Sequence, residues 1–525
     1  LYNFLIFFSQ QTNKQLPMRA SIQGVYRYML LMSCLLLAWP IAAQKEIKQK
    51  PVQLLKVADI FGDNMVLQRG KKIPIWGRGV PGQPVSIQVG NRTWRSKADK
   101  QSSFWQIDLD SLPVGSNYSL IITQPKQDTI YLKNVAVGEV WLCSGQSNME
   151  WPVRLSNNAE AEAAADFPLI RHVKVTRRAS LSTSDSLAVG RWEAATPQTV
   201  PHFSAVAYFF ARHLYDSLNV PIGLINSSWG GTQVESWISR ESLATLPDIA
   251  GELSRVPVAG DSLTNSVIQQ NPNRYPTILY NTMIYPLKRF ALRGVIWYQG
   301  EPNAVRAVQY AQTFPLLIKD WRKQWGEELP FLFVQLANWK AAGGNSQNGG
   351  SEWAELREAQ QAALKLPQTA MVVTIDIGDT EDIHPRNKQD VGKRLALQAL
   401  HLVYKRNIAF SHPTFAEKVM EDETLMLYFK DTYGKLVTKN DRYGYVRGFE
   451  LAGKEGIFYP AQARIIGNDR IIVSCAQVSR PEYVRYAWAD DPADANVFNA
   501  IGLPLAPFRT DSFPEKTLGK KFKLE

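Results

Sequence analysis

A chain of 525 residues, 45% of them apolar and 20% charged, has enough hydrophobic material for two to four folded domains, which excludes a disordered chain. Its formal net charge is +11 at pH 7, yet no Lys/Arg-rich block occurs. Nucleic acid is therefore excluded as an expected partner, and an acidic ligand or a solvated basic surface remains.

The chain opens with a leader-like segment, residues 1–43. Arg19 and Arg27 precede an apolar stretch from Tyr28 to Ala43, which ends in Ile41-Ala42-Ala43. A charged start, an apolar middle and a small-residue end predict a secretory leader cleaved after Ala43, with Met18 as the start of translation and a secreted, periplasmic or extracellular product. Pro40 interrupts the stretch, which is too short for a stable membrane span. The leader carries Lys14, Arg19 and Arg27 and no acid, so the remainder holds +8. Cys143 and Cys475 stay in that remainder without metal-ligand spacing, so neither a metal nor a cofactor is expected. Cys143 falls in an apolar run and is expected as a buried free thiol.

Residues 44–137 read as an N-terminal β-sandwich module. Val85, Ile87 and Val89 alternate with polar residues, as do Trp105, Ile107 and Leu109, and Tyr118, Leu120 and Ile122. Residues 138–407 change to an α/β pattern. Apolar runs Val140–Cys143, Ile222–Ile225, Val295–Tyr298, Phe331–Leu336 and Met371–Ile375 are separated by helical stretches. Those stretches are Val206–Leu218, Val305–Trp325 with Pro315 as a kink, Trp353–Leu366 and Asn387–Tyr404. Strands alternating with helices predict a parallel sheet with helices on both faces. Residues 408–525 return to a β-rich pattern. The glycine-rich segment 343–350 predicts a mobile loop that follows the fourth strand and flanks the site.

Four of the five predicted strands are followed by unusual residues. The segments are Gly145-Gln146-Ser147-Asn148, Asn226 to Thr232 with Trp229-Gly230-Gly231, Gln299-Gly300-Glu301-Pro302-Asn303, and Asp379 to Pro385 with Glu381-Asp382-Ile383-His384. In a parallel sheet these loops share one edge, where ligands bind. Each piece suits acyl transfer. Ser147 is a nucleophile if a base reaches it. Of His172, His202, His213, His384, His401 and His412, only His384 combines a strand-end position with nearby acids. Asp382 or Glu381 would orient it. The amides of Ser147 and of Gly230 or Gly231, with the side chain of Gln299 or Asn303, are the candidate oxyanion donors. Gln146, Trp151 and Glu301 are candidates for substrate contact, and Trp151, Trp229 and Trp237, which flank the motifs, for a sugar-facing wall, with core packing as the alternative for each tryptophan.

Gly-Gln-Ser-Asn-Met, Trp-Gly-Gly-Thr, Trp-Tyr-Gln-Gly-Glu and Asp-Ile-His-Pro, in this order, resemble the sialate O-acetylesterases of the SGNH hydrolase superfamily. The resemblance spans roughly residues 57–510. It implies a flavodoxin-like α/β core with flanking β-sandwich-like modules, and removal of O-acetyl groups from sialic acid without a cofactor. It implies Ser147 as nucleophile, His384 as base, Gln299 as third oxyanion donor and Asp382 as the acid. Pro302 stands where the family commonly has Ser. The wider superfamily spaces acid and base as Asp-x-x-His, a frame that holds Glu381 here, so a Ser–His dyad is the alternative arrangement. Acetylxylan or another acetylated glycan is the alternative substrate, and a non-catalytic carbohydrate-binding protein the alternative class.

Overall fold

The computed structural model describes residues 54–256, 270–272 and 275–524. The predicted leader lies outside the described residues. The N-terminal part is built from β1 (Lys56–Val57), β2 (Val66–Gln68), β3 (Ile73–Arg78), β4 (Pro84–Val89), β5 (Arg92–Lys97), β6 (Phe104–Leu109), β7 (Gly115–Thr123) and the first half of β8 (Ile130–Gly145). One sheet has the order β1-β3-β6, and in the other β4 pairs with β5 and β7 while β7 pairs with β8. The period-2 alternation does what it predicts. Val85, Ile87, Val89, Trp105, Ile107 and Leu109 are buried.

β8 has 16 residues and serves two sheets. Its first half pairs antiparallel with β7 and parallel with β2. Its second half becomes a central strand of the α/β sheet. The expected boundary at 137/138 therefore falls inside a strand, and no linker separates the modules there. The strand is buried without a break from Val135 to Gly145, and Glu139 within it is neutralised by Arg69 and Arg293, which explains the continuity.

The central sheet adds β9 (Phe167–Lys174), β10 (Glu193–Ala195), β11 (Ile222–Ser228), β12 (Gly294–Tyr298), β13 (Phe331–Val334) and β14 (Thr369–Val372). Its order is β10-β9-β11-β8-β12-β13-β14. All pairs are parallel except β10 with β9. The five predicted runs correspond to β8, β11, β12, β13 and β14, and β9 and β10 extend the sheet beyond β11. β9 escaped the sequence reading because Arg171 and His172 break its apolar run. Both are buried, Arg171 by donating to the carbonyls of Asn64, Met65 and Asn134, and His172 by stacking on Phe203 at 4.5 Å.

Helices cover both faces of the sheet. Trp141 and Cys143 of β8 belong to the core under the helices Ala205–Leu218 and Lys388–Leu402, whereas Val140 and Leu142 face the core that contains the helix Ala307–Trp325. Pro315 lies inside that last helix, which runs on to Trp325. Cys143 and Cys475 are both free, and burial pushes the Cys143 thiol well up.

Beyond the helix Lys388–Leu402, a β-rich part contains a four-stranded sheet of Thr414–Glu421, Thr424–Lys430, Arg470–Ser474 and Gln462–Ile466, with further small sheets. Arg357 fastens it to the α/β part. It is fully buried and donates to the carbonyls of Leu336, Ala337, Ala489 and Asp490. The segment 343–350 differs from expectation. Asp490 accepts from the Gly344 amide at 2.8 Å, and Ser346 and Gln347 donate to Glu450, so the loop is tied to the β-rich part. The glycines there give the close approach this tie needs, and an added Cβ on Gly344 would sit 2.8 Å from the Gly350 carbonyl oxygen.

Candidate active site

The chain turns sharply where β8 ends. Gly145 has φ +134°, and a Cβ there would lie 2.1 Å from the Tyr298 carbonyl oxygen of β12. Glycine alone fits. The Gln146 amide then donates to Tyr298 O at 3.0 Å, and the Trp229 amide donates to Gly145 O at 3.1 Å, so the ends of β8, β11 and β12 are tied together. A one-turn helix, Ser147–Glu150, begins at once. Its first amide, on Ser147, has no acceptor among the described residues, as expected for a first-turn N–H.

His384 Nε2 lies 2.9 Å from Ser147 Oγ. This is a nucleophile–base contact made across 237 residues. The imidazole stacks on Trp151, with centroids 4.7 Å apart and planes 9° apart. Burial lowers the imidazole below its ordinary value, the Lys388 ammonium lowers it further, and Asp382 opposes both. Asp382 is a weak partner. Its Oδ1 accepts from the His384 backbone amide at 2.8 Å but stands 3.6 Å from ring Nδ1, and its side chain is half exposed. Asp382 is thus the acid nearest the ring, engaged loosely enough that the arrangement approaches the alternative Ser–His dyad. Glu381 points away, with its carboxylate 3.4 Å from Lys340 Nζ. Asp382→Asn is therefore expected to lower kcat/KM on a simple acetyl ester about tenfold, against about 10⁴-fold where the acid grips the ring. A loss approaching 10⁴ would show that Asp382 closes on Nδ1 during turnover.

Gly230 is the glycine at the nucleophile. A Cβ on it would meet Ser147 Cβ at 3.2 Å, whereas Gly231 is exposed and serves the turn with φ +71°. The Gly230 amide, like that of Ser147, has no acceptor among the described residues. Two backbone donors without an acceptor thus belong to the nucleophile and to the glycine packed against it.

Gln299 and Asn303 correct the expectation of a side-chain donor. Both are fully buried. Gln299 Nε2 donates to Thr232 O at 3.1 Å and to Asn303 Oδ1 at 2.8 Å, and its Oε1 accepts from the Tyr310 hydroxyl at 3.0 Å. Asn303 Oδ1 also accepts from the Val234 amide, and its Nδ2 donates to Glu235. Thr232 O can only accept and Val234 N can only donate, so both amide orientations are fixed. Arg306 closes the network on Glu235 at 2.6 Å. Burial pushes the Glu235 carboxyl up, but Arg306, its own backbone amide and Asn303 together hold it below the usual carboxylate range. Gln299 and Asn303 are thus struts that hold the loop after β11 against the loop after β12.

Three further candidates for substrate contact are corrected. Gln146 is buried and accepts from the Gly300 amide through Oε1. Glu301 faces inward, with Oε1 accepting from Asn148 Nδ2 at 2.7 Å. Trp237 is core, and its Nε1 donates to Thr232 Oγ1. Trp151 and Trp229 remain half-buried at the site. Trp229 lies under the Arg177 guanidinium at 5.7 Å, and Arg177 and Lys174 both pair with Glu150, on the same helical turn as Ser147. The rim therefore carries Lys174 and Arg177 together with Glu150 and the half-exposed Asp382. Sequence reasoning missed Asn148 and Lys388. Lys388 is fully buried, and its Nζ donates to Asn148 Oδ1 at 2.6 Å. An Asn beside the nucleophile and a Lys at the start of an amphipathic helix both read as ordinary surface residues.

The family described as "Carbohydrate esterase, sialic acid-specific acetylesterase" matches residues 137–401. The human sialate O-acetylesterase is 35% identical over 396 residues, which cover 68% of this chain and 73% of that protein. The mouse sialate O-acetylesterase is 34% identical over 517 residues, covering 86% and 94%. Among solved structures, a carbohydrate acetylesterase from Xanthomonas citri superposes with a TM-score of 0.79 at 39% identity, covering 87% of this chain and all of that one.

Proposed function

Because the chain belongs to the sialic acid-specific acetylesterase family of carbohydrate esterases, we propose that it removes O-acetyl groups from sialic acid by a Ser147–His384 acyl-enzyme mechanism, without a cofactor. It is a carboxylic ester hydrolase. The observation that carries the mechanism is the 2.9 Å contact between Ser147 Oγ and His384 Nε2, beside two unpartnered backbone amides.

His384 takes the hydroxyl proton as Ser147 Oγ attacks the acetyl carbonyl carbon. The negative charge on the former carbonyl oxygen meets the amides of Ser147 and Gly230. The intermediate collapses, the sugar oxygen leaves with the proton from His384, and an acetyl-serine remains. Water then loses a proton to His384 and attacks the acetyl carbon, the bond to Ser147 Oγ breaks as His384 returns the proton to that oxygen, and acetate leaves. Trp151 restrains rotation of the ring between these steps by stacking on it.

The strand sequence β11-β8-β12-β13-β14 supports the finer reading of an SGNH-type, flavodoxin-like core, since it has the 2-1-3-4-5 order of such sheets. Secretion rests on the leader pattern in residues 1–43. Lys174 and Arg177, both half-exposed on the rim, supply charge partners for the carboxylate of an acidic sugar that a neutral sugar would not use. The test is acetate release from O-acetylated sialic acid and from acetylxylan in parallel, with a chelator present. A kcat/KM at least about tenfold higher on the sialate is expected, a difference of about 1.4 kcal/mol in transition-state binding. The reverse ratio would make a neutral glycan the substrate, and loss of all release on adding chelator would point to a metal-dependent hydrolase.

A further inference from the structure

Asn148 joins its own helical turn to three other segments of the site. Its Nδ2 donates to Glu301 Oε1 at 2.7 Å and to Ile383 O at 3.1 Å, and its Oδ1 accepts from Lys388 Nζ at 2.6 Å. Asn148 follows the nucleophile and Ile383 precedes the base. The side chain is therefore a clamp between the two catalytic loops, and Lys388 orients it.

Lys388 is a costly residue in this position. It is fully buried. It opens the helix Lys388–Leu402, where the unpaired amides already make the potential positive. Among the described residues one hydrogen bond, to Asn148, holds its Nζ, with the rings of Tyr298 and Trp151 at 5.6 and 6.0 Å. Across Asn148, Glu301 Oε2 is enclosed without a hydrogen-bond partner among the described residues. Neutral donors would hold Asn148 as well and cost less. A placement that breaks several local rules at once marks a functional constraint.

We propose that Lys388 is a positioning residue of the reaction, which locks the loop of His384 to that of Ser147 through Asn148 and places a buried positive charge beside the Trp151 ring on which His384 stacks. The inference rests on the esterase reading above. The groups that bear on it are few. His384 faces Ser147 and Trp151 from the segment after β8, Asp382 from its own loop and Lys388 from the helix. Lys388 in turn faces Glu301 and Tyr298, and Asp382 acts on it from a distance. Burial brings the Lys388 ammonium down to about 7, with Glu301 and Asp382 opposing, so the cation is present wherever the solution is mildly acidic. The sign follows. A cation near the imidazole penalises imidazolium, keeps the base free at lower pH and extends activity into acid.

The test is the pH profile of kcat/KM for Lys388→Gln, which removes the charge and keeps an N–H for Asn148. The acidic limb should move to higher pH, so that the variant loses about threefold more rate than wild type between about pH 7.5 and about pH 5.5. A limb that stays in place, whatever the change in plateau, overturns the proposal. If Lys388→Gln does not fold, histidine-labelled wild type decides by NMR, with His384 assigned by comparison with His384→Gln. A His384 midpoint lower in wild type than in Lys388→Met, which keeps the chain length without the charge, supports the proposal, and equal midpoints overturn it. If wild type releases no acetate, the esterase reading fails on its own, and the NMR midpoint still decides the role of Lys388.

Discussion

Ser147→Ala is expected to lower acetate release by about 10⁴–10⁶-fold while the protein stays folded. The substitution removes one oxygen from a half-buried position, so thermal unfolding should be unchanged to within about 0.5 kcal/mol. His384→Ala should lose about as much, and the double variant should lose scarcely more than either single one. Such non-additivity is expected when two groups act in one step, because a base without its nucleophile has nothing to deprotonate. Steady-state acetate release by the three variants checks this. Losses that multiply would mean that Ser147 and His384 act in separate steps, and a folded Ser147→Ala protein with wild-type rate would remove the nucleophile assignment.

Gly145→Ala should fail for a different reason. The new methyl would sit 2.1 Å from the Tyr298 carbonyl oxygen, at a φ of +134° that alanine resists. To make room, the end of β8 must leave β12, which breaks the Gln146–Tyr298 hydrogen bond that sets the height of Ser147. A destabilisation of about 3–5 kcal/mol and a loss of activity of at least about 100-fold are expected. Gly230→Ala is the contrast. Its methyl would press on Ser147 Cβ at 3.2 Å without a backbone collision, so kcat should fall with little change in stability. Thermal unfolding and kcat measured on both variants separate the two effects. Equal loss of stability in both would show that the two glycines serve only the fold.

The sequence made the working parts legible wherever local pattern decides. Apolar runs bounded by glycine gave β8, β11 and β12, and the residues just beyond them are indeed neighbours. Ser147 and His384 were legible because a histidine with acids at a strand end is rare in this chain. What escaped depends on partners distant in sequence. Gln299 and Asn303 carry the right chemistry for an oxyanion donor, but their hydrogen bonds run to Thr232, Val234 and Glu235. Lys388 looks like a helix-start residue until Asn148 is brought against it. Arg171 and His172 hid β9 because burial of a charged or polar side chain requires partners that no periodicity displays. The glycines of 343–350 were correctly read as a break in regular structure, but composition does not show that Asp490 receives the loop.

The double service of β8 limits how this enzyme can be recombined. Side chains alternate along a strand with period 2, so inserting one residue between Ile130 and Val137 while the N-terminal half keeps its pairing would exchange the two faces downstream. Trp141 and Cys143 would swap cores with Val140 and Leu142, and Ser147 would leave the edge where His384 waits. An insertion of two residues would restore the faces but lengthen the strand by about 6.6 Å against its neighbours. Chimeras that join a foreign N-terminal module at 137/138 should therefore be far less tolerant than chimeras joined before Ile130, where the whole strand is inherited in one piece.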